Sequence, residues 1–128
     1  MNVYSSLKDL LVEHCNSQLG IAIGNFDGVH LGHQKFIKDA KEHCASSNLS
    51  LVVITFNPHP RKILKAATGF LINSYVDRRS LLKACGVDHL IEIEFTRDFS
   101  TLSPGEFLDD YVLLGQGVKA LFLGYDFA

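Results

Sequence analysis

Apolar and polar positions along the chain alternate between two patterns, one typical of strands and the other of helices. Leu19–Ile23 and His89–Glu94 are short apolar runs that predict strands, and residues 119–123 predict another. The run at residues 51–56, LVVITF, has no polar alternation at all. Strands that are buried on both faces have this pattern, and they are typical of parallel sheets. The strand pattern therefore indicates a parallel sheet.

Segments with helical spacing separate these runs. Residues 30–44 form the longest of them, and its apolar positions fall on one helical face: Phe36, Ile37, Ala40 and Cys44. Shorter helices are predicted over residues 4–14, 76–85 and 103–114. The first has Ser5 or Ser6 as its N-cap, the second ends at Gly86, and the third begins with a capping box of Ser103 and Glu106.

Strands alternate with helices along the whole chain, which is the pattern of an α/β fold with right-handed crossovers. We expect a Rossmann-like open parallel sheet with helices on both faces. The 128 residues fit one domain. The sequence stops just past the last predicted strand, where such a fold usually continues with a covering helix, so we expect the domain to be truncated at its C-terminus.

Composition and charge narrow the class of protein. The chain is 47% hydrophobic and 20% charged, a balance typical of globular domains rather than disordered ones. Its net charge of −2 disfavours a general nucleic-acid binder. Cys15, Cys44 and Cys85 are far apart, which argues against a disulfide framework or a zinc site and favours reduced thiols in the cytoplasm. No signal peptide or membrane-spanning run is recognisable.

The candidate chemistry lies in GNFDGVHLGH, residues 24–33, between the first apolar run and the longest helix. Gly24 and Gly28 allow the backbone to turn sharply and approach a ligand. His30 and His33 are three residues apart at the predicted helix start, where free N–H groups and the helix dipole favour a phosphate. We expect both rings to face that anion, and the His33 ring to be partly exposed rather than part of the core. The alternative is a helix-capping histidine pair with incidental glycines. A metal site would need a third ligand, which the segment lacks.

Three further segments follow in order: VITFNPHP at residues 53–60, FTRDFSTLSPGEF at 95–107 and GYDF at 124–127. Together with GNFDGVHLGH, they resemble the motifs of the adenylyltransferase domain of prokaryotic bifunctional FAD synthetases (riboflavin kinase/FMN adenylyltransferase), which are HxGH nucleotidyltransferases. The resemblance runs from about residue 21 to residue 127. Four ordered segments are far more specific than an HxGH motif alone.

The resemblance implies transfer of AMP from ATP to FMN, giving FAD and pyrophosphate with Mg²⁺. It implies that His30 and His33 bind the ATP phosphates and stabilise the transition state. The other residues implied to lie along the nucleotide are Gly24, Asn25, Phe26 and Gly28. The residues implied to border the flavin are Asn57, Pro58, His59, Pro60, Asp126 and Phe127.

The residues themselves leave some of these roles open. Pro58 and Pro60 stiffen a loop where a flat ring could pack, but they also serve as plain strand terminators. Asp126 could help to place Mg²⁺ or a ribityl hydroxyl, and its alternative is a turn aspartate. The apolar side chains of the third segment are expected to be packing residues: Phe99, Leu102 and Phe107.

Two parts of the family pattern do not occur in this sequence: a later Ser-Ser-Thr-x-Ile-Arg segment and the riboflavin kinase domain. We therefore expect residues 1–128 to be an incomplete adenylyltransferase domain, with the kinase domain in the same full-length polypeptide. The expected partners are the small molecules ATP and FMN, with no nucleic acid and no membrane. The alternatives are a non-catalytic nucleotide- or flavin-binding module, and a different HxGH nucleotidyltransferase.

Overall fold

A computed structural model describes residues 1–14, 16–24, 26, 31–57, 78–94, 99, 101–113 and 117–123. These residues contain a five-stranded sheet in the order β1-β4-β3-β2-β5. The strands are β1 (Asn2–Tyr4), β2 (Leu19–Ile23), β3 (Ser50–Asn57), β4 (His89–Glu94) and β5 (Val118–Leu123). Every pair of neighbouring strands is parallel. The predicted parallel α/β sheet is confirmed.

Helices cover both faces of this sheet, as predicted. They are α1 (Leu7–Glu13), α2 (Leu31–Ser46), α3 (residues 78–84) and α4 (Pro104–Phe107), which continues as a π-helical turn over Leu108–Val112. One core cluster joins the buried sides of α2 and α3 to the sheet. A second cluster joins α1 and α4 to the opposite face. β3 is the middle strand of the sheet and contributes buried residues to both clusters, in keeping with its unbroken apolar run.

Close packing fixes α2 against β2. A side chain at Gly20 would collide with Sγ of Cys44, so the absence of a side chain in β2 allows the helix to lie near the strand. Ile37 and Ala40 are buried on the same side of α2, as the periodicity predicts. The position of the α2 N-terminus relative to the sheet is therefore determined by packing along the length of the helix.

Three details differ from the sequence-based expectations. Residues 2–4 form a short strand, so the first helix begins only at Leu7, with the Ser6 side chain accepting a hydrogen bond from Asp9 N at 3.2 Å. A run of three residues is too short for its periodicity to be recognised. The capping box of Ser103 and Glu106 is present, but α-helical geometry ends at Phe107 and a π-helical turn follows.

The end of α3 is as predicted. Gly86 has a φ of 94°, which a residue with a side chain rarely adopts. Its N–H donates to the carbonyl of Lys83, and Val87 N donates to the carbonyl of Leu82. These two carbonyls of the last helical turn therefore have hydrogen-bond partners. Asp88 then accepts from Leu51 N at 2.8 Å, which ties the start of β4 to β3.

Candidate active site

The candidate site lies at the carboxyl ends of the neighbouring strands β2 and β3. Ile23 pairs with Ile54, and Gly24 N donates to the Ile54 carbonyl at 3.2 Å, so the first glycine of the GNFDGVHLGH segment still belongs to the sheet ladder. β3 runs three residues further, to Asn57, which pairs with Glu94. Ligands of open α/β sheets bind at this edge. The structure thus brings Gly24 and Asn57, from two predicted site segments, to the carboxyl ends of adjacent strands.

Phe26 turns the chain from β2 toward α2 in an unusual conformation. Its φ is 52°, in the left-handed region that bulky residues rarely occupy. Its side chain is fully buried, and its ring stacks against Phe36 at a centroid distance of 6.1 Å. Burial of the ring offsets the strain of the backbone. Since the ring belongs to the core, Phe26 would meet a nucleotide only through its backbone.

His33 is buried, which differs from the expected partly exposed ring. It lies in the first turn of α2, and its residue exposure is only 4%. The imidazole packs edge-on against Phe26, with ring centroids 5.3 Å apart and an interplanar angle of 81°. The expectation was wrong because it took no account of the buried Phe26 ring, which packs against the imidazole. This contact holds the imidazole in one orientation beside the helix N-terminus.

The start of α2 is electrostatically suited to an anion. The helix has 16 residues and no acidic residue in its first turn. The N–H groups of that turn have no partners within the helix, and the helix dipole places a partial positive charge there. His33 adds an imidazole, which can donate or accept a hydrogen bond. The arrangement favours a phosphate or another anion over a cation.

Arg78 joins the end of β3 to β4. Its side chain is 1% exposed, and Nη2 donates to Asn57 Oδ1 at 2.8 Å and to Glu92 Oε2 at 3.3 Å. Nη1 donates to the carbonyl of Phe56 at 3.4 Å. The guanidinium therefore binds the backbone of Phe56 and the side chain of Asn57, the last two residues of β3. The sequence-based prediction did not include Arg78.

Glu92 is the buried carboxylate that balances this guanidinium. Burial alone would raise the pKa of Glu92, but hydrogen bonds and positive charge from Arg79 and Arg78 outweigh it and hold that pKa below its ordinary value. Arg79 donates to both carboxylate oxygens. The sequence did contain a signal, because Glu92 stands between Ile91 and Ile93 in an apolar strand. A charge in such a position usually has a buried partner.

Aromatic rings pack beneath the end of β3. The ring centroid of Phe99 lies 5.6 Å from that of Phe56 and 5.6 Å from that of Phe107. The π-helical turn places the Tyr111 ring centroid 5.3 Å from that of Phe99. Phe107 is 5% exposed and belongs to the core cluster of that face. The prediction that Phe99 and Phe107 are packing residues agrees with these contacts. The cluster supports the strand that ends at Asn57.

Several predicted site residues lie outside the described residues, so their placement stays a prediction: Asn25, Gly28, His30, Pro58, His59, Pro60, Asp126 and Phe127. Within the described ranges, no group of three His, Cys, Asp or Glu residues could hold a metal ion. Over the same part of the chain, no helix has the length and apolar character needed to cross a membrane.

Comparison with known proteins agrees with this architecture. A family model described as FAD synthetase matches residues 12–128. The Bacillus subtilis bifunctional riboflavin kinase/FMN adenylyltransferase is 36% identical over 119 residues, which are 91% of this chain and 37% of that protein. The Escherichia coli K12 protein of the same name is 32% identical over 84% of this chain and 34% of its own length. A Listeria monocytogenes FAD synthetase is 34% identical over 84% of this chain and 44% of its own length.

A solved structure is also similar. The crystal structure of a protein from Streptococcus pneumoniae, described as a macrolide-efflux protein, has a TM-score of 0.66 and 26% identity over 88% of this chain and 38% of that chain. The present chain thus spans between about a third and somewhat under half of the proteins it matches. The family match nevertheless covers nearly all of its residues. The chain belongs to the FAD synthetase family.

Proposed function

We propose that this chain is the FMN adenylyltransferase domain of a FAD synthetase, which transfers AMP from ATP to FMN and releases pyrophosphate. The observation that carries the proposal is the family match over residues 12–128. The geometry is in keeping with it, because Gly24 and Asn57 lie at adjoining strand ends and His33 lies at the start of α2. Two substrates could therefore meet at one edge of the sheet, with the nucleotide beside α2 and the flavin beside β3.

The proposed chemistry is an in-line displacement at phosphorus. An oxygen of the FMN phosphate attacks the α-phosphorus of ATP, a new P–O bond forms, and the bond to the leaving pyrophosphate breaks. The first turn of α2 and the imidazole of His33 would stabilise the negative charge that develops on the phosphates. His30 would contribute in the same way. Holding the two phosphates in line supplies much of the remaining acceleration.

We propose that Mg²⁺ enters with the nucleotide. This ion retains several waters and is commonly bound by substrate phosphates with one or two carboxylates, so a three-ligand protein site is not required. In this proposal Asp126 helps to place either this ion or a ribityl hydroxyl of the flavin. The chemical contribution of Mg²⁺ would be to neutralise charge on the phosphates.

We further propose that the full-length polypeptide includes a riboflavin kinase domain, because the relatives from Bacillus subtilis and Escherichia coli are named as bifunctional enzymes. We propose small-molecule substrates rather than nucleic acid, in line with the charge of −2. A cytoplasmic location is favoured by the free thiols of Cys44 and Cys85.

The proposal is tested by incubating the protein with ATP, FMN and Mg²⁺ and separating the flavins by HPLC, with equilibrium binding of each substrate measured in parallel. Formation of FAD supports adenylyl transfer to FMN. Binding of FMN and ATP without product supports a non-catalytic binding module instead. The absence of both binding and product supports a different HxGH nucleotidyltransferase that acts on another nucleotide-like acceptor, which replacing FMN by other acceptors would then identify.

A further inference from the structure

The end of β3 is held by a buried cation on a different element. Arg78 lies in α3, and its guanidinium donates to the Phe56 carbonyl, to Asn57 Oδ1 and to the Glu92 carboxylate. Asn57 itself is only half-buried. The last residue of the strand thus lies at the border between the core and the substrate edge, and its side chain is bound from the core side.

The chemistry of this contact fixes the asparagine in one orientation. A guanidinium has donors and no acceptor, so Asn57 must present its oxygen to Arg78. The residue that follows is a proline, whose ring fixes its own φ and restricts the conformation of the residue before it. The proline and the hydrogen bond from Arg78 therefore both restrict the conformation of Asn57.

We propose that Arg78 is a positioning residue for the flavin side of the site, acting through Asn57. The inference rests on the proposed function, which assigns Asn57 to the flavin side. Arg78 does not contact the flavin in this proposal. It fixes the strand end against which the flavin binds, while the nucleotide side at Gly24 and His33 is built by different elements.

The shared carboxylate makes the proposal testable without loss of the fold. Glu92 is 5% exposed and is bound by both Arg78 and Arg79. An unpaired buried carboxylate would be the most damaging outcome of replacing Arg78. Arg79 prevents it, because it still pairs with Glu92. Arg79 is also the matched control, because its side chain is 49% exposed and its hydrogen bonds within the described residues go to Glu92.

The experiment compares Arg78→Met with Arg79→Met. The first readout is the side-chain amide signal of Asn57 in ¹⁵N-labelled protein, assigned by its loss in Asn57→Asp. The second is the KM for FMN and for ATP in the adenylyl-transfer assay. Arg78→Met should shift the Asn57 signal and raise the FMN KM by about tenfold, the size expected for one charge-assisted hydrogen bond. The ATP KM should stay within about twofold of the wild-type value, and Arg79→Met should change neither constant.

Arg78→Lys and Asn57→Leu test the same bond further. Lys retains a charged donor for Asn57, so its FMN KM should rise less than that of Arg78→Met, whereas Leu offers no acceptor and should raise the FMN KM at least as far as Arg78→Met. These variants also decide the matter if Arg78→Met does not fold. An unchanged FMN KM in Arg78→Met or Asn57→Leu, or equal rises for FMN and ATP, overturns the positioning role and leaves the proposed function intact. Wild-type protein that neither binds FMN nor forms FAD overturns both.

Discussion

Replacing His33 by alanine separates a role in chemistry from a role in packing. The ring is 4% exposed and packs edge-on against Phe26, so its loss should cost stability. Truncating a large buried side chain costs about 2–5 kcal/mol, and a polar imidazole belongs near the lower end of that range. We therefore expect His33→Ala to lower the free energy of unfolding by about 2 kcal/mol.

That loss is too small to explain a large loss of activity. A domain stable by about 5 kcal/mol, the low end for native proteins, would retain about 3 kcal/mol and remain roughly 99% folded. Removing one hydrogen-bond donor to transition-state charge costs about 10²–10³ in turnover. If His33 binds the ATP phosphates, the rate should fall by at least one hundredfold while about 1% of the protein unfolds.

The assay is paired: FAD formation and thermal unfolding are measured on the same preparations of an active polypeptide that contains residues 1–128. Ile37→Ala is the matched control, because Ile37 is fully buried one turn further along α2 in the core cluster that includes Phe26. Its unfolding temperature should fall at least as far, while its rate per folded molecule stays near the wild-type value. Near-wild-type turnover in His33→Ala would refute the HxGH assignment, and a loss that only follows the folded fraction would make His33 a structural histidine.

Two further predictions concern the fold. Gly20→Ala should destabilise the protein by about 1–3 kcal/mol, because its methyl group would collide with the Cys44 sulfur, and Gly20→Ala combined with Cys44→Ala should recover part of that loss in urea unfolding. Burial holds the pKa of His89 below its ordinary value of 6.5, and His14, whose ring centroid is 4.8 Å from that of His89, acts in the same direction. Nearby carboxylates act in the opposite direction but do not outweigh these effects. The associated stability is fully present above pH 6.5 and is lost as the pH falls through the folded-state pKa, so His89→Gln should unfold with a shallower pH dependence in that window.

Much of the fold could be predicted because its local signals are strong. The unbroken apolar run that forms β3 is typical of a strand covered on both faces, and the end of α3 at Gly86 follows from the need for a positive φ. β1 could not be predicted, because its three residues become a strand only by pairing with β4. The local sequence pattern therefore predicts the long strands and helices, whereas the short edge strand β1 depends on tertiary pairing.

Some features of the candidate site could likewise be predicted from the sequence, and others could not. Gly24 and Asn57 were expected at strand ends, and the parallel register of β2 and β3 brings those ends together. The burial of His33 could not be predicted, since it depends on the left-handed turn at Phe26. The contact between Arg78 and Glu92 joins a helix to a strand, and nothing in the local spacing of either residue points to the other.

The central claim is that the chain transfers an adenylyl group, and the most direct measurement follows the phosphorus atom itself. The protein is incubated with FMN and Mg²⁺ and with ATP labelled either at the α- or at the γ-phosphorus, and the flavins are separated and counted. We expect that α-label enters FAD, that γ-label leaves in pyrophosphate, and that His33→Ala lowers α-label incorporation by about 10²–10³. Label that enters the flavin from the γ-position, or no incorporation from either position by protein that binds both substrates, would contradict the claim.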